Sequence, residues 1–194
     1  ATFVMETGTH SPWVSRLLQS LGHPVIVANA RKLRAISAST TKSDEEDARM
    51  LARLGRADPA LLSPIQHRSE SAQRALVQLK VREALVRSRV NQMNSVRFLV
   101  KSLGLVVARG IKATACVRQF RARADAATAA LVEPLLQSID AINAQIKQLD
   151  ARLETLAAEQ YPMTERLRQV DSVGPLTALW FILTVETPTR FPHT

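Results

Sequence analysis

Three acidic residues have the type and spacing that could hold a divalent metal ion. Asp44 and Asp47 lie three residues apart at the start of a predicted helix, and Glu6 ends an apolar run far upstream. Residues three apart lie on one face of a helix, so the two aspartates share a face. Metal-dependent phosphoryl transfer needs several carboxylates to converge on Mg²⁺. The pattern predicts a catalytic Mg²⁺ site for cutting nucleic acid, formed by Glu6, Asp44 and Asp47.

The acids of this helix also have a simpler interpretation. Residues 44–47 are all acidic, and negative charge in a first turn is stabilised by the helix macrodipole. Ser43 and Glu46 fit a capping box, which also fixes where the helix begins. Glu45 and Glu46 are therefore interpreted as capping and surface residues. The metal site requires Glu6 to lie close to the helix start, whereas the capping interpretation does not.

The elements around these acids predict part of an α/β sheet. Residues 2–5 are apolar and partly β-branched, which indicates a buried strand ending near Glu6. A helix follows, with Ser11 as its N-cap and Gly22 at its end, and residues 24–28 indicate a second strand. So short a strand–helix–strand unit predicts a parallel pair with a right-handed crossover. Sites in open α/β sheets form at the carboxyl ends of such strands, where Glu6 lies.

The positive charge of the chain is concentrated in one block. Residues 66–123 contain 13 Lys and Arg against two acids, a net charge of +11, whereas the remaining 13 basic and 15 acidic residues give −2. Such a block predicts contact with nucleic acid, with a membrane surface or plain solubility as alternatives. The predicted nucleic-acid-binding residues are Lys42, Arg82, Arg89, Arg97, Lys101, Arg109, Lys112, Arg118, Arg121, Arg123 and, in a later turn, Gly174.

Two long helices are predicted in the second half of the chain, from about Ser69 to Leu103 and from Ala126 or Pro134 to Glu159. The second carries an apolar seam with alternating spacings of four and three, which is typical of a coiled coil. It predicts antiparallel pairing with the first long helix or pairing with another subunit, and an ordinary amphipathic core helix is the alternative. The seam residues are Leu135, Ile139, Ile142, Ile146, Leu149, Leu153 and Leu156.

Residues 167–178 have the pattern of two helices joined by a tight turn. They resemble a helix-hairpin-helix DNA-binding element, in which backbone N–H groups of a glycine-containing turn face a phosphate. Ser172 stands where such hairpins usually have their first glycine, and Gly174 is the second. A plain helical turn is the alternative interpretation.

Other features exclude several classes of protein. Cys116 is the single cysteine, so no intrachain disulfide and no cysteine-based zinc site can form. The sequence has neither a membrane-length apolar run nor a signal peptide, and a cytoplasmic protein is expected. The chain begins without Met inside a predicted strand and ends abruptly at Thr194, so we expect it to be cut from something longer.

The order of these motifs resembles that of the DEDD transposases of bacterial insertion sequences, relatives of the Piv DNA invertase. The resemblance spans nearly the whole chain and is most specific in its E-x-G and K-[ST]-D-x-x-D-A motifs. The residues that carry it are Met5-Glu6-Thr7-Gly8, Trp13, Leu17-Leu18, residues 22–29, Lys42-Ser43-Asp44-Glu45-Glu46-Asp47-Ala48, residues 173–178 and Arg190-Phe191.

The resemblance implies a fold of the α/β plus mostly α class. A partial RuvC-like (RNase H-like) domain would cover residues 1–65, and a basic, antiparallel coiled-coil hairpin would cover residues 66–160. The start of a C-terminal transposase domain, with the helix-hairpin-helix-like segment, would cover residues 161–194. The resemblance also implies the partners, which are DNA, in some members a structured guide RNA, and further copies of the chain joined through the coiled coil. It implies no contact with a membrane.

The resemblance also implies an activity, which is Mg²⁺-dependent DNA cleavage and exchange with a serine nucleophile. Glu6, Asp44 and Asp47 match the second, third and fourth acids of the family motif. The first Asp would lie upstream of residue 1 and the serine beyond Thr194, so this chain is expected to bind nucleic acid without recombining it. Ala30 and Asp171-Ser172 depart from the family pattern. The alternative hypothesis is a non-catalytic, basic coiled-coil module that binds nucleic acid.

Overall fold

The computed structural model describes residues 1–36, 43–107 and 112–190, and it divides into two compact units. The first unit comprises residues 1–69 and 187–194, and the second comprises residues 70–186. The described residues are mostly helical, with one small parallel sheet in the first unit. This confirms the α/β plus mostly α class, whereas the RuvC-like fold and the three-domain division stay predictions.

The first unit is built on the predicted parallel strand pair. Strand β1 pairs with β2 in a register that runs from Phe3 opposite Val25 to Glu6 opposite Ala28. The elements in chain order are β1 (Phe3–Glu6), α1 (Ser11–Ser20), β2 (Val25–Ala28), α2 (Ala30–Ile36), α3 (Asp44–Ala57) and two 3₁₀ helices (Pro59–Leu62 and Pro188–Arg190).

Helix α1 begins one residue earlier than the sequence predicts. His10 is its N-cap, and Ser11 lies inside the helix. The Ser11 hydroxyl accepts a hydrogen bond from the Gly8 N–H and donates one to the Gly8 carbonyl, so it fastens the loop after β1. Gly22 follows the helix with a φ of 81°, in the left-handed region that favours glycine, and ends the helix as predicted.

Helix α3 packs directly against β1. A Cβ added at Gly55 would lie 2.6 Å from Val4 Cγ2, so only glycine lets the helix backbone approach the strand this closely. Leu51 of the same helix is buried in a cluster with Ala28 and Leu62. The core of the first unit therefore fixes α3 to the sheet.

The second unit is organised by an antiparallel pair of long helices. Its elements are α4 (Glu70–Lys101), α5 (Ala113–Arg123), α6 (Ala126–Gln160), α7 (Thr164–Leu167) and α8 (Pro175–Val185). Arg82 of α4 forms an ion pair with Asp150 of α6, and Arg89 donates a hydrogen bond of 3.0 Å to Asn143 Oδ1. Because the contacts advance seven residues along α4 and retreat seven along α6, the helices run in opposite directions. Helix α6 continues through Pro134.

The buried face of α6 is wider than the predicted seam. Ile139, Ile146 and Leu153 are buried as predicted. The other four predicted seam residues are half-buried, and two of them, Leu135 and Leu156, pack against buried apolar clusters. The positions that follow these four add two buried residues, Leu136 and Ala157, and two half-buried polar residues, Asn143 and Asp150, which bond to α4.

Two apolar clusters lie at opposite ends of this helix pair. One contains Met93 and Val100 of α4, Phe120 of α5 and Ile139 of α6. The other joins Leu79 and Leu153 to α8, through Leu179 and Leu183. The polar pairs of Arg82 and Arg89 lie between them, so the middle of the hairpin is held by polar contacts and its ends by apolar burial.

Helix α5 is an element that the sequence analysis left as a basic segment. Cys116, Val117 and Phe120 are buried on one face of it, at spacings of one, three and four residues. The many basic residues of this stretch lie on its other faces and mask the apolar pattern. No helix in the described ranges has the length and hydropathy needed to cross a membrane.

The predicted hairpin near residues 167–178 has a short first helix. Helix α7 has four residues, and α8 begins after Gly174, which is its N-cap. Ser172 has a φ of 68°, the conformation that glycine adopts with least strain. The position where the resemblance expects glycine therefore does have glycine-like backbone geometry, while the helix-hairpin-helix itself stays a prediction.

Candidate metal site and candidate nucleic-acid interface

Glu6 lies at the carboxyl end of β1, as its place in the sequence predicts. Its side chain is exposed, and its backbone is opposite Ala28 at the last pair of the sheet. The next residue, Thr7, donates its N–H to the Ala28 carbonyl (3.1 Å) and accepts the Ala30 N–H at its hydroxyl (3.2 Å). These bonds join the edge of the sheet to the start of α2 and hold Glu6 at a fixed, accessible position.

Asp44 and Asp47 occupy the first turn of α3. Ser43 is the N-cap, and its hydroxyl accepts the Glu46 N–H at 3.2 Å, which confirms the predicted cap. Asp44 is exposed and Asp47 is half-buried, whereas Glu45 forms an ion pair of 2.7 Å with Arg49. Two carboxylates of one helix face are thus available, and the neighbouring Glu45 is already engaged.

The chemistry of these three residues suits Mg²⁺, because all three offer carboxylate oxygens. Their side chains do not converge on one point. Within residues 1–36, 43–107 and 112–190, no three His, Cys, Asp or Glu side chains lie close enough together to hold one metal ion. The metal role of Glu6, Asp44 and Asp47 therefore stays a prediction.

Four of the predicted nucleic-acid-binding residues make contacts inside the second unit. Arg82 pairs with Asp150, and the two side chains keep only 26% and 35% of their exposure. Arg89 contacts Asn143 as described above. Arg97 donates to Asn94 Oδ1 (3.1 Å) and lies 3.9 Å from Cys116 Sγ. These guanidinium groups hold helices together as well as carrying charge.

Arg121 is the fourth, and it joins α5 to α6. Its guanidinium donates to Glu133 at 2.7 Å and to Asp140 at 2.9 Å. The hydrogen bond that Arg121 donates to Glu133, and then the one it donates to Asp140, raise the pKa of Arg121 above its ordinary value. The same contact with Arg121 lowers the pKa of Glu133. With two carboxylates already bound, Arg121 has less capacity for a phosphate than the sequence alone suggests.

The remaining described basic residues of the prediction are exposed and lie near one end of the hairpin. Lys101 is the last residue of α4, Lys112 is the N-cap of α5, and Arg118 and Arg123 lie on α5. No ion pair of these four is present within the described residues. Gly174 is exposed before α8. Lys42 and Arg109 lie outside the described residues.

A groove at this end of the hairpin contains residues that the sequence analysis missed. It has a volume of about 840 Å³ and is lined by Asn94, Arg97, Phe98, Lys101 and residues 105–107. Phe98 is 77% exposed. The sequence signal for this groove is a phenylalanine one turn before Lys101 in a basic helix. A count of charged residues does not detect it.

Comparison with known proteins identifies the class to which the chain belongs. A family model described as a transposase, that of the DEDD transposases of the IS110 type, matches residues 1–104. A protein of Sinorhizobium fredii named "Putative transposase y4pF/y4sB" is 28% identical over 188 residues. That alignment covers 95% of this chain and 47% of the relative, so the chain spans about half the relative's length. No solved structure matches the chain.

The matched residues include both strands of the first unit, helix α3 with Asp44 and Asp47, and all of α4. They cover more than half of the 194 residues. The resemblance inferred from the order of motifs is thereby confirmed at the level of the family, and this chain belongs to the IS110-type DEDD transposases.

Proposed function

We propose that this chain acts in DNA transposition, as part of a transposase that cleaves and exchanges DNA strands with the help of Mg²⁺. The observation that carries the proposal is the family match over residues 1–104, which includes all three predicted metal ligands. Its place of action would be the bacterial cytoplasm, where its DNA partner is found.

Glu6, Asp44 and Asp47 are the residues proposed to hold the metal. Glu6 would supply a carboxylate from the edge of the sheet, and the two aspartates would supply a pair from one face of α3. When bound, Mg²⁺ stabilises negative charge that develops on a phosphate during strand cleavage. The capped start of α3 and the hydrogen bonds after Glu6 would keep the two ligand-bearing segments rigid.

Metal binding can be measured on the chain without any DNA reaction. We expect Mn²⁺, used as a spectroscopic substitute for Mg²⁺, to bind the wild-type chain, as monitored by electron paramagnetic resonance. Glu6→Gln, Asp44→Asn and Asp47→Asn should each weaken binding by on the order of tenfold. Glu45→Gln removes a charge from the same helix turn, from a residue paired with Arg49, and is the matched control. Equal weakening by all four substitutions would contradict a specific site.

The second unit is proposed to bind nucleic acid and to mediate self-association. The antiparallel pair of α4 and α6, with contacts repeating every seven residues, supports a coiled-coil interpretation. The partners would be DNA and, as in some relatives, a structured guide RNA. Exposed Lys101, Lys112, Arg118 and Arg123 are the residues best available for phosphates.

A second candidate function is a non-catalytic, basic module that binds nucleic acid. The observation that favours it is the lack of a three-acid group within the described residues. If the chain binds nucleic acid but takes up no Mn²⁺ at any of the three acids, this alternative replaces the catalytic proposal for the chain.

A further inference from the structure

The carboxyl-terminal turns of α4 present an aromatic ring between polar and basic groups. Asn94, Phe98 and Lys101 lie four and three residues apart, so they share one face of the helix. Phe98 keeps 77% of its exposure although it is one of only five phenylalanines in the chain. Val106 lines the same groove and is 81% exposed, and neighbouring apolar side chains left in water suggest a binding role.

The groove beside Phe98 is basic. Arg97 and Lys101 line it, and no acidic side chain lines it within the described residues. The guanidinium of Arg97 is held in position by its hydrogen bond to Asn94 Oδ1, so its charge is placed before any ligand arrives. A smaller pocket shares residues 105–107 with this groove and is also lined by Arg123. Arg97, Lys101 and Arg123 therefore line two pockets that meet at residues 105–107.

These features fit a strand whose bases are not paired. An exposed aromatic ring stacks on the face of an unpaired base, while cations on either side bind the phosphates that connect successive bases. In a duplex the base faces are covered by their neighbours, so the ring of Phe98 would have no face to contact. A second copy of this chain would cover the ring too, but it would bring the cations of both copies together, which costs free energy.

We propose that the groove around Phe98 binds single-stranded nucleic acid, with the ring stacking on an unpaired base and with Arg97, Lys101 and Arg123 contacting phosphates. This inference deepens the proposed function, on which it rests, by assigning the unpaired strand to a particular surface. Duplex DNA would contact the exposed cations at this end of the hairpin, Lys101 among them, without using the ring of Phe98.

The test compares two probes on the whole 194-residue chain. Fluorescence anisotropy measures the affinity for a labelled oligothymidylate of about 20 nucleotides and for a duplex of the same length. Phe98→Ala and Phe98→Leu should weaken binding of the oligothymidylate by about fivefold or more, and change duplex binding by less than about twofold. Phe181→Ala is the matched control, since Phe181 is a 57% exposed phenylalanine of α8 in the same unit, and it should leave both affinities unchanged.

A conservative variant gives a direct readout of stacking. Phe98→Trp should keep the affinity for oligothymidylate, and the added tryptophan should lose fluorescence when the strand binds, relative to the wild-type signal from Trp13 and Trp180. Circular dichroism of each variant checks that the helices are intact.

The outcomes separate this inference from the proposed function. If the wild-type chain binds neither probe, nucleic-acid binding itself is wrong. If both probes bind and Phe98→Ala changes neither affinity, or changes both equally, only the assignment to the groove is overturned. If Phe98→Ala changes the sedimentation coefficient but not the affinity for the strand, the ring belongs to a contact between copies instead.

Discussion

The basic residues in the middle of the hairpin and those at its α4–α5 end come from the same sequence block but have different surroundings. Arg82 and Arg89 lie against α6, bonded to Asp150 and Asn143. Lys101, Lys112 and Arg118 face solvent. The middle cations stabilise the pairing of two helices, whereas the cations at the end remain available to an external anion. A count of Lys and Arg along the sequence gives both groups the same weight.

This difference teaches that net charge indicates a partner but does not locate it. The block of residues 66–123 carries +11, yet part of that charge is bonded to α6. A guanidinium that is bonded to a half-buried carboxylate would have to break that bond to bind a phosphate, so it contributes less to phosphate affinity. The two groups should therefore respond oppositely when stability and affinity are measured on the same variants.

The largest expected effect is on affinity at the exposed end. Replacing Lys101, Lys112 and Arg118 together by Gln should lower the slope of log affinity against log salt by roughly two to three for duplex DNA, because each phosphate contact contributes about 0.9. At about 0.1 M salt the loss of affinity would be on the order of 100-fold. Filter binding over a series of salt concentrations measures both quantities.

The matched control removes the same charge from elsewhere in the second unit. Lys147, Arg152 and Arg166 are exposed and lie outside the basic block. Their triple replacement by Gln should leave most of the slope intact. If both triple variants lower the slope equally, the end of the hairpin has no special role and only the net charge matters.

The next effect concerns stability in the middle of the hairpin. Arg82→Met leaves Asp150 half-buried without its partner and should lower the free energy of unfolding by about 1–3 kcal/mol. The double variant Arg82→Met with Asp150→Leu should recover most of that loss, because no unpaired charge remains. Urea denaturation followed by circular dichroism measures the values.

Arg87→Met is the control for this comparison. Arg87 lies on the same helix, 70% exposed, and its contact with Glu83 is 3.8 Å long. The expected change is within about 0.5 kcal/mol. If Arg82→Met costs no more than Arg87→Met, the middle pair is ordinary surface charge and the contrast drawn above is wrong.

The smallest effect concerns Arg121. It lies on α5, but it is bonded to side chains of α6, as Arg82 and Arg89 are. The pKa of Glu133 is lowered in the folded chain by Arg121, so this pair stabilises the fold at pH values above the ordinary Glu value of 4.5. That stabilisation is lost as the pH falls through the lowered pKa. Urea midpoints should therefore differ between wild type and Glu133→Gln at neutral pH, and the difference should shrink in acid.

Glu83→Gln provides the reference for general acid effects, because the contact of Glu83 with Arg87 is long, at 3.8 Å. If the difference in urea midpoint between wild type and Glu133→Gln does not change with pH, Arg121 does not stabilise the fold through this carboxylate. Arg121 would then belong with the exposed cations.

Much of the fold was predictable because local rules decide it. The strand ends at Glu6, the cap at Ser43 and the stop at Gly22 follow from apolar runs, a capping serine and a glycine with positive φ. Helix α5 was missed because its basic residues hide a short apolar face. The close approach of α3 to β1 at Gly55 was missed for a different reason, since nothing local to a helix reveals what its glycine touches.

The candidate sites were predictable in residue type more than in arrangement. Carboxylates at Glu6, Asp44 and Asp47 are typical of a metal site, but whether they meet depends on packing between segments far apart in sequence. Phe98 was overlooked because an exposed phenylalanine looks like a core residue in a sequence. Its exposure depends on where the helix pair ends.

The sequence by itself determined the family, the two strands of the first unit with the helix between them, the capped start of α3 and the existence of two long helices. Only the tertiary structure decided which polar residues of α6 bond to α4. A pattern of Leu and Ile marks positions 142 and 149, and the half-buried Asn143 and Asp150 beside them are the residues that bond to Arg89 and Arg82. The physical reason is that a half-buried polar residue is favourable opposite a bonding partner, and the partners Arg82 and Arg89 lie more than fifty residues away in the chain.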